Sequence, residues 1–559
     1  MTLARRVVDF FSYFLLYLIV AIALGIASEH AFTEQVAVRY FAKMLAPVLA
    51  KRYEEKTPAY LLSGTQAKTP QDLVSVILVQ DPDLETYNEP YPVRYRFWAR
   101  RLAAIAEHNP RAVFIDLFFI DKRNDDTLKD FVKAGCDLRE AGVPVYIGSL
   151  KPYGIATRPE IADARIAPSG GGAAVPCFTE TAIPKPADQF DQSAWEYRLY
   201  QQASPGKRNQ AAEGLASVAA RIFIDAGGNI AAEHAEPLSL VWGGRPHPGN
   251  AALRSNVADD TPLKCAEAAP GWPSVLWDFG KRVLGVSDKA GYGESECFYH
   301  QTRPISFLRA GDENDMRQMI EGKVVMIGVD LAGMQDVVYS PVAERPIAGV
   351  YLHAMALDNL FTFGSGYKRH EHVDFLHEWP FNAATWFATF ALILICLAAA
   401  LVDMVKAGLA QHAKGKGDHD DAYLATVDFL HVTNPVLLAF HVALHPPPAL
   451  KEFIAHAQAQ REGPMSTWDK IGQSLVWVRK KLKFLSLRVL LLGALSCAIF
   501  YLGFEIFGLG PLTWTEFVFF PILGHFLKVV PELREKLIEF FSAGVAALKA
   551  LSHQKEQAK

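Results

Sequence analysis

Four short, continuous apolar runs, Val74–Val79, Ala112–Ile120, Val143–Ile147 and Val324–Val329, have the length and the polar boundaries of buried strands. Between them, apolar residues recur at helical spacing. Phe97, Leu102, Ile105 and Ala106 mark a helix over Arg94–His108, and a second is expected over Leu128–Ala141. Strands alternating with helices predict βαβ units and a largely parallel sheet. The last run opens the stretch Gly322–Phe361, around which the chain is organised. After it, Gly333, Asp336 and Pro341 punctuate a loop, and Gly349 precedes a helix over Val350–Phe361 with Leu352, Met355, Ala356 and Leu360 at helical spacing. That order puts the loop at the carboxyl end of a strand, where open α/β sheets tend to hold ligands.

Before the first strand, Ser28–Glu55 reads as a linker with some helical periodicity. The strands are interrupted by an irregular insertion, residues 151–303, rich in Gly, Pro and Ala. Ala211–Ile224 and Trp272–Leu284 suggest one or two helices within it. The insertion is either a decoration on the sheet or a lobe that grips a ligand.

Long apolar runs lie at the two ends. Phe10–Ala27, preceded by Arg5 and Arg6, has the length and flanking charge of a membrane anchor with a cytoplasmic N-terminus, so residues 1–27 form the tip and first span. A cleaved signal peptide competes, with Ala21-Ile22-Ala23 as its cleavage site, and either reading exports residues 28–378. Ala383–Val402 is a second span within 379–403, with Trp379 and Trp386 at its interface. Lys406, Lys414 and Lys416, then Arg479, Lys480, Lys481 and Lys483, place the 404–484 loop inside. Val489–Phe504 and Phe517–Leu527 follow within 485–530, separated by Gly508-Leu509-Gly510-Pro511. Four spans with both ends cytoplasmic satisfy the charge bias. In the tail, 531–559, Leu533, Leu537, Phe540, Phe541 and Leu548 share a helical face that suits the inner leaflet or a partner helix. The expected class is therefore an exported α/β domain joined to an α-helical membrane domain.

Composition narrows the function. The chain has 559 residues, 50% of them apolar, and a net charge of −4, which gives no field favouring nucleic acid. Cys136, Cys177, Cys265 and Cys297 are exported, and an oxidising compartment permits disulfides. Four cysteines allow three pairings, and a staple within the insertion is the expected one. Their spacing matches no zinc pattern.

Asp81, Asp116, Asp125 and Asp336 lie in strands or just after them. Gathered at one sheet edge they could bind a ligand, or hold a divalent cation through oxygen atoms. An Asp after a strand also caps the next helix or satisfies a turn. His353, near the start of a helix, is a ligand-binding candidate or a packed residue. His441 and His445 have one-turn spacing without an accompanying carboxylate, so no metal site is expected there. Glu505 and His525 lie near span ends and are the intramembrane polar candidates. No nucleophile, base and orienter come together, so neither an enzyme nor a cofactor is expected.

Three stretches are similar to one known family. VSVILVQDPDL at Val74–Leu84, AVFIDLFFIDKRNDDTLKDFV at Ala112–Val132, and the region around Ile327-Gly328, Gly333, Asp336, Pro341, Gly349-Val350, His353-Ala354 and Asp358-Asn359-Leu360 resemble the second type of CHASE domain. That is a bacterial extracellular sensor family attached to cyclases, histidine kinases and serine/threonine kinases. Where the family has a Trp-Pro-Trp-Pro-Arg turn, this chain has Glu89-Pro90-Tyr91-Pro92-Val93-Arg94. The resemblance implies a receptor of the bacterial inner membrane with a large periplasmic sensor domain, an unknown extracytoplasmic ligand and a homodimeric or higher assembly. The 404–484 loop and the tail are too small for a kinase or cyclase, so the expected output is a separate signalling protein. The competing expectation is a structural or pore-forming membrane component that uses the exported domain as an assembly scaffold.

Overall fold

The computed structural model describes residues 32–56, 58, 69–121, 125–167, 173–184, 193–203, 214–230, 236–252, 271–275, 298–334, 336–342, 346–369, 393–394, 502–506 and 508–510. Two compact units are distinguished. One comprises Tyr40–Glu371 with Gly508–Leu512, and the other comprises Met1–Arg39, His372–Phe507 and Thr513–Lys559. Nearly all described residues belong to the first.

That unit is built on six strands: β1 Val74–Gln80, β2 Ala112–Phe118, β3 Val145–Ser149, β4 Phe178–Ala182, β5 Gln301–Pro304 and β6 Val324–Asp330. They lie in the order β5-β1-β6-β2-β3-β4, every neighbouring pair parallel. The predicted parallel α/β sheet is therefore present. β1 and β6 pair along their whole length, from Val74 opposite Val324 to Gln80 opposite Asp330. Both are buried from Val74 to Val79 and from Val324 to Val329, which is why they read as unbroken apolar runs rather than alternating ones.

Among the described residues seven helices of seven residues or more accompany the sheet: α1 Phe32–Glu54, α2 Asp81–Tyr87, α3 Tyr95–Ala106, α4 Leu128–Glu140, α5 Val218–Asp225, α6 Glu313–Ile320 and α7 Val350–Phe363. Phe97, Trp98 and Ile105 of α3, Phe131 and Leu138 of α4, and Met319 and Ile320 of α6 form one core with Ile77, Val113, Val145 and Val325 of the sheet. A hairpin, β7 Val337–Tyr339 and β8 Pro346–Ala348, leads from β6 into α7. Every residue of α7 from Val350 to Thr362 is buried, as an all-round apolar helix requires. Gly328 of β6 permits the close approach, since a Cβ there would stand 2.4 Å from Val350 Cγ1.

The structure amends several expectations. Ser28–Glu55 contains a helix rather than a linker, because α1 runs to Glu54 with Ala46, Leu49, Ala50 and Tyr53 buried. The insertion is neither a mere decoration nor a separate lobe, since it supplies β4 and β5, the two edge strands of the main sheet. Within the described part of Ala211–Ile224, Val218 onward is helical and Leu215–Ala216 is extended. The disulfide joins Cys136 of α4 to Cys177, immediately before β4. Cys177 is thus stapled across the start of the insertion and not within it, because the pairing of β4 with β3 carries Cys177 to the face covered by α4. Cys265 and Cys297 lie outside the described residues.

The 404–484 loop, the 531–559 tail, His431, His441, His445 and His525 also lie outside them, as do all or nearly all residues of the four long apolar runs. Among the described residues no helix is long and apolar enough to cross a membrane. Glu505 sits in a short π-helical segment, Leu502–Ile506.

Candidate functional site

β2 ends in Ile115-Asp116-Leu117-Phe118, which places an acidic side chain where the strand's apolar packing stops. Asp116 is nonetheless buried. On the α7 side of the sheet, its Oδ2 stands 3.7 Å from His353 Nε2, too long for a hydrogen bond. His353 lies in the first turn of α7, with its ring edge-on to Phe114 at 5.5 Å and to Tyr197 at 5.6 Å. The Tyr197 hydroxyl and His353 Nδ1 share a 2.9 Å hydrogen bond.

Asp336 approaches from the loop after β6. The backbone N–H of Gly349 donates to its carbonyl at 2.9 Å. A Cβ on Gly349 would stand 2.2 Å from Asp336 Oδ1, so the glycine clears the space in which this carboxyl rests. Asp336 is exposed to solvent, whereas Asp116 is buried.

Burial pushes the Asp116 carboxyl well above the usual range, and the negative charge of Asp336 adds to the rise. Partial desolvation by the atoms packed around it likewise raises Asp336. Burial pushes His353 down to about 3 and raises the Tyr197 phenol. At neutral pH the histidine is therefore uncharged. Among the described residues no Lys or Arg pairs with either carboxyl. The site is an acid pair facing a neutral imidazole and a phenol. Among the described residues no group of three or more His, Cys, Asp or Glu side chains is placed to hold a metal ion.

Of the five residues singled out as ligand candidates, the fold brings Asp116, Asp336 and His353 together. Asp81 and Asp125 serve the backbone instead. Asp81 opens α2 and accepts from Ala332 N at 2.8 Å. Asp125 accepts from Tyr95 N at 2.5 Å and from Thr127 N at 2.9 Å, fixing the starts of α3 and α4 to one another. The buried carboxylate of the Gln80-Asp81-Pro82-Asp83 turn is Asp83, which accepts from Gln80 N at 2.9 Å and Ser306 N at 3.1 Å.

A second polar network on α7 was not anticipated. Asp358 accepts from the Tyr53 hydroxyl at 2.6 Å and from Thr362 Oγ1 at 3.2 Å, and it meets His300 Nε2 at 2.9 Å. Burial raises the Asp358 carboxyl, and the His300 contact opposes the rise. Asn359 receives Val241 N at 3.0 Å and donates to Val241 O at 2.9 Å. The sequence did hold a signal. An Asp-Asn pair inside an otherwise apolar helix must find partners, because unpaired burial of either is costly. Five residues separate Asp358 from His353, which turns them roughly 140° apart around the helix. One helix thus carries both networks on different faces.

Tyr197 also belongs to a narrow ladder. Glu196–Tyr197 pairs antiparallel with Leu238–Ser239, Leu238 bridges Arg369, and Arg369 bridges Leu509. Ser239 N donates to Lys368 O at 2.8 Å, Arg369 N to Gly508 O at 2.8 Å, and Gly510 N to Arg369 O at 2.7 Å. Gly510 fits because it has no side chain, since a Cβ there would stand 2.0 Å from Ser239 Oγ.

A comparison with known families matches residues 36–400 to the CHASE2 domain. No curated protein and no solved structure matches the chain.

Proposed function

We propose that this chain, which belongs to the CHASE2 domain family of sensors, is an integral-membrane receptor that reads an extracytoplasmic signal and passes it to a separate output protein. One observation carries the reading. The buried site is joined through hydrogen-bonded backbone to the turn between the last two apolar runs: His353 holds Tyr197, whose strand pairs with Leu238–Ser239, which meets Arg369, which meets Leu509. In the four-span topology that turn faces the same side as residues 28–378. Its membership of the same compact unit supports this arrangement.

The mechanism follows from α7. A ligand that binds one arrangement of Asp116, Asp336 and His353 more tightly than another shifts the population of α7 positions. Those positions are felt at α1 through Asp358 and Tyr53, and at residues 508–510 through the ladder. Both lead toward predicted spans. A two-fold homodimer lets such spans move against a second set.

Pull-down of the tagged full-length protein from its own membranes tests the reading. Co-purification of a kinase, cyclase or other signalling protein is the expected result. Recovery of the chain alone in a fixed, large stoichiometry overturns trans-signalling and favours the structural or pore-forming role. A membrane-impermeant thiol reagent tests the topology independently. In a background without native cysteines, Tyr153→Cys is labelled in sealed spheroplasts, and Ser466→Cys only after permeabilisation. The reverse pattern overturns the orientation.

A further inference from the structure

Asp116 is more than nine-tenths buried and makes no hydrogen bond among the described residues, its one polar neighbour being His353 Nε2 at 3.7 Å. Most buried carboxylates are paired, and one left unpaired costs stability. Three other buried or half-buried carboxylates of this unit are hydrogen-bonded: Asp83 by two backbone N–H groups, Asp358 by Tyr53 and His300, and Glu180 by Ser149 at 2.9 Å with Lys151 at 2.5 Å. Asp116 has no such hydrogen bond, and a second carboxyl, Asp336, lies close enough for its charge to act on it.

The fold therefore supplies acceptor capacity at Asp116 and a second carboxyl at Asp336, and among the described residues it brings no Lys or Arg to either. Exposed apolar residues lie near the acids in sequence: Phe118 two residues beyond Asp116, and Met334 and Val337 to either side of Asp336, at 36%, 38% and 43% exposure. A single charged donor with an apolar body satisfies all of this.

We infer that the Asp116–Asp336 site takes a small organic ammonium compound, its nitrogen donating to the two carboxyls and its apolar part lying on Phe118, Met334 and Val337. The inference rests on reading this cluster as the sensor's ligand site. The binding step balances in charge: the ammonium enters and the proton on Asp116 leaves to solvent, so affinity rises with pH as that carboxyl ionises. The groups facing Asp116 are Asp336 from the β6–β7 loop, His353 from α7 and, behind the imidazole, Tyr197.

Isothermal titration of the full-length protein in detergent with n-hexylammonium chloride, run against hexanoate, hexanol and Mg²⁺, tests it. The expected result is saturable binding of hexylammonium, none of hexanoate or hexanol, and proton release seen as a dependence of the heat on buffer ionisation. Asp116→Asn weakens binding about tenfold or more, the scale of one charge-assisted hydrogen bond. Asp336→Asn, at an exposed position, keeps the fold and weakens binding as well. Hexylammonium that fails to saturate, or that binds Asp116→Asn as well as the parent, overturns the inference. So does Mg²⁺ binding that depends equally on Asp116. The pull-down and thiol labelling use no amine, so their outcomes stand whichever way this titration falls.

Discussion

The Tyr53 hydroxyl lies 2.6 Å from Asp358 Oδ1, joining the last turn of α1 to the middle of α7 across 305 positions of sequence. A fully buried phenol and carboxylate hold each other where neither meets water. Tyr53→Phe removes the donor while filling the same space, so its cost isolates the hydrogen bond. Denaturant unfolding of the full chain is expected to show a loss of about 1–3 kcal/mol, the range for a hydrogen bond to a charged group. Amide exchange in the last turns of α1 rises with it.

The Cys136–Cys177 bond closes a loop with a sequence separation of 41. Replacing both cysteines with serine is expected to cost about 2–4 kcal/mol, mostly by freeing the unfolded chain. Peptide mapping under non-reducing conditions checks the pairing.

Asp116 and His353 give stability opposite dependences on pH. The Asp116 carboxyl is raised on folding, so the folded state holds its proton more tightly. That stabilisation is complete below the unfolded value of about 4 and is lost as pH rises through the folded one. Asp116→Asn keeps a neutral group there, and a gain on the order of 1 kcal/mol over the parent is expected at pH 8.

His353 is lowered to about 3, so its stabilisation is complete above the unfolded value near 6.5 and is lost as pH falls toward 3. Over that window the parent loses up to about 1.4 kcal/mol per pH unit from this group. His353→Gln removes that part of the slope. Unfolding curves at half-unit steps from pH 8 to 4 separate the two effects.

Gly510→Ala drives a methyl group into Ser239 and to within 2.8 Å of the Arg369 carbonyl. Overpacking of this kind costs about 1–3 kcal/mol. Here the cost falls on the bridge from Arg369 to Leu509, so exchange of the Arg369 amide, which donates to Gly508, is expected to rise at least about tenfold. The melting temperature of the sheet stays nearly unchanged.

The legible part of this fold was the part with unbroken apolar runs. β1, β2, β3 and β6 are buried almost throughout, and the helices between them have one apolar face. β4 reads Phe-Thr-Glu-Thr-Ala and β5 Gln-Thr-Arg-Pro. Such short, polar edge strands inside a Gly- and Pro-rich region give no run to detect, and the proline of β5 is tolerated only because that strand is an edge. The site was legible in Asp116, Asp336 and His353 because all three sit at element ends beside the β6–α7 loop. Tyr197, Tyr53 and His300 were not, since each is an isolated residue whose partner is fixed by tertiary packing alone.

The order of strands in the sheet has a consequence for biosynthesis. β1 and β2 are made first yet never touch, because β6 fills the place between them, and β1's other neighbour, β5, is also late. Roughly two hundred residues separate β2 from β6, so at ordinary synthesis rates the nascent chain spends on the order of tens of seconds with β1 unpaired on both edges. An open edge of that kind recruits other strands. A holding chaperone is thus most needed from the completion of β1 until β6 has been made, and truncations ending before Val324 are expected to aggregate rather than fold.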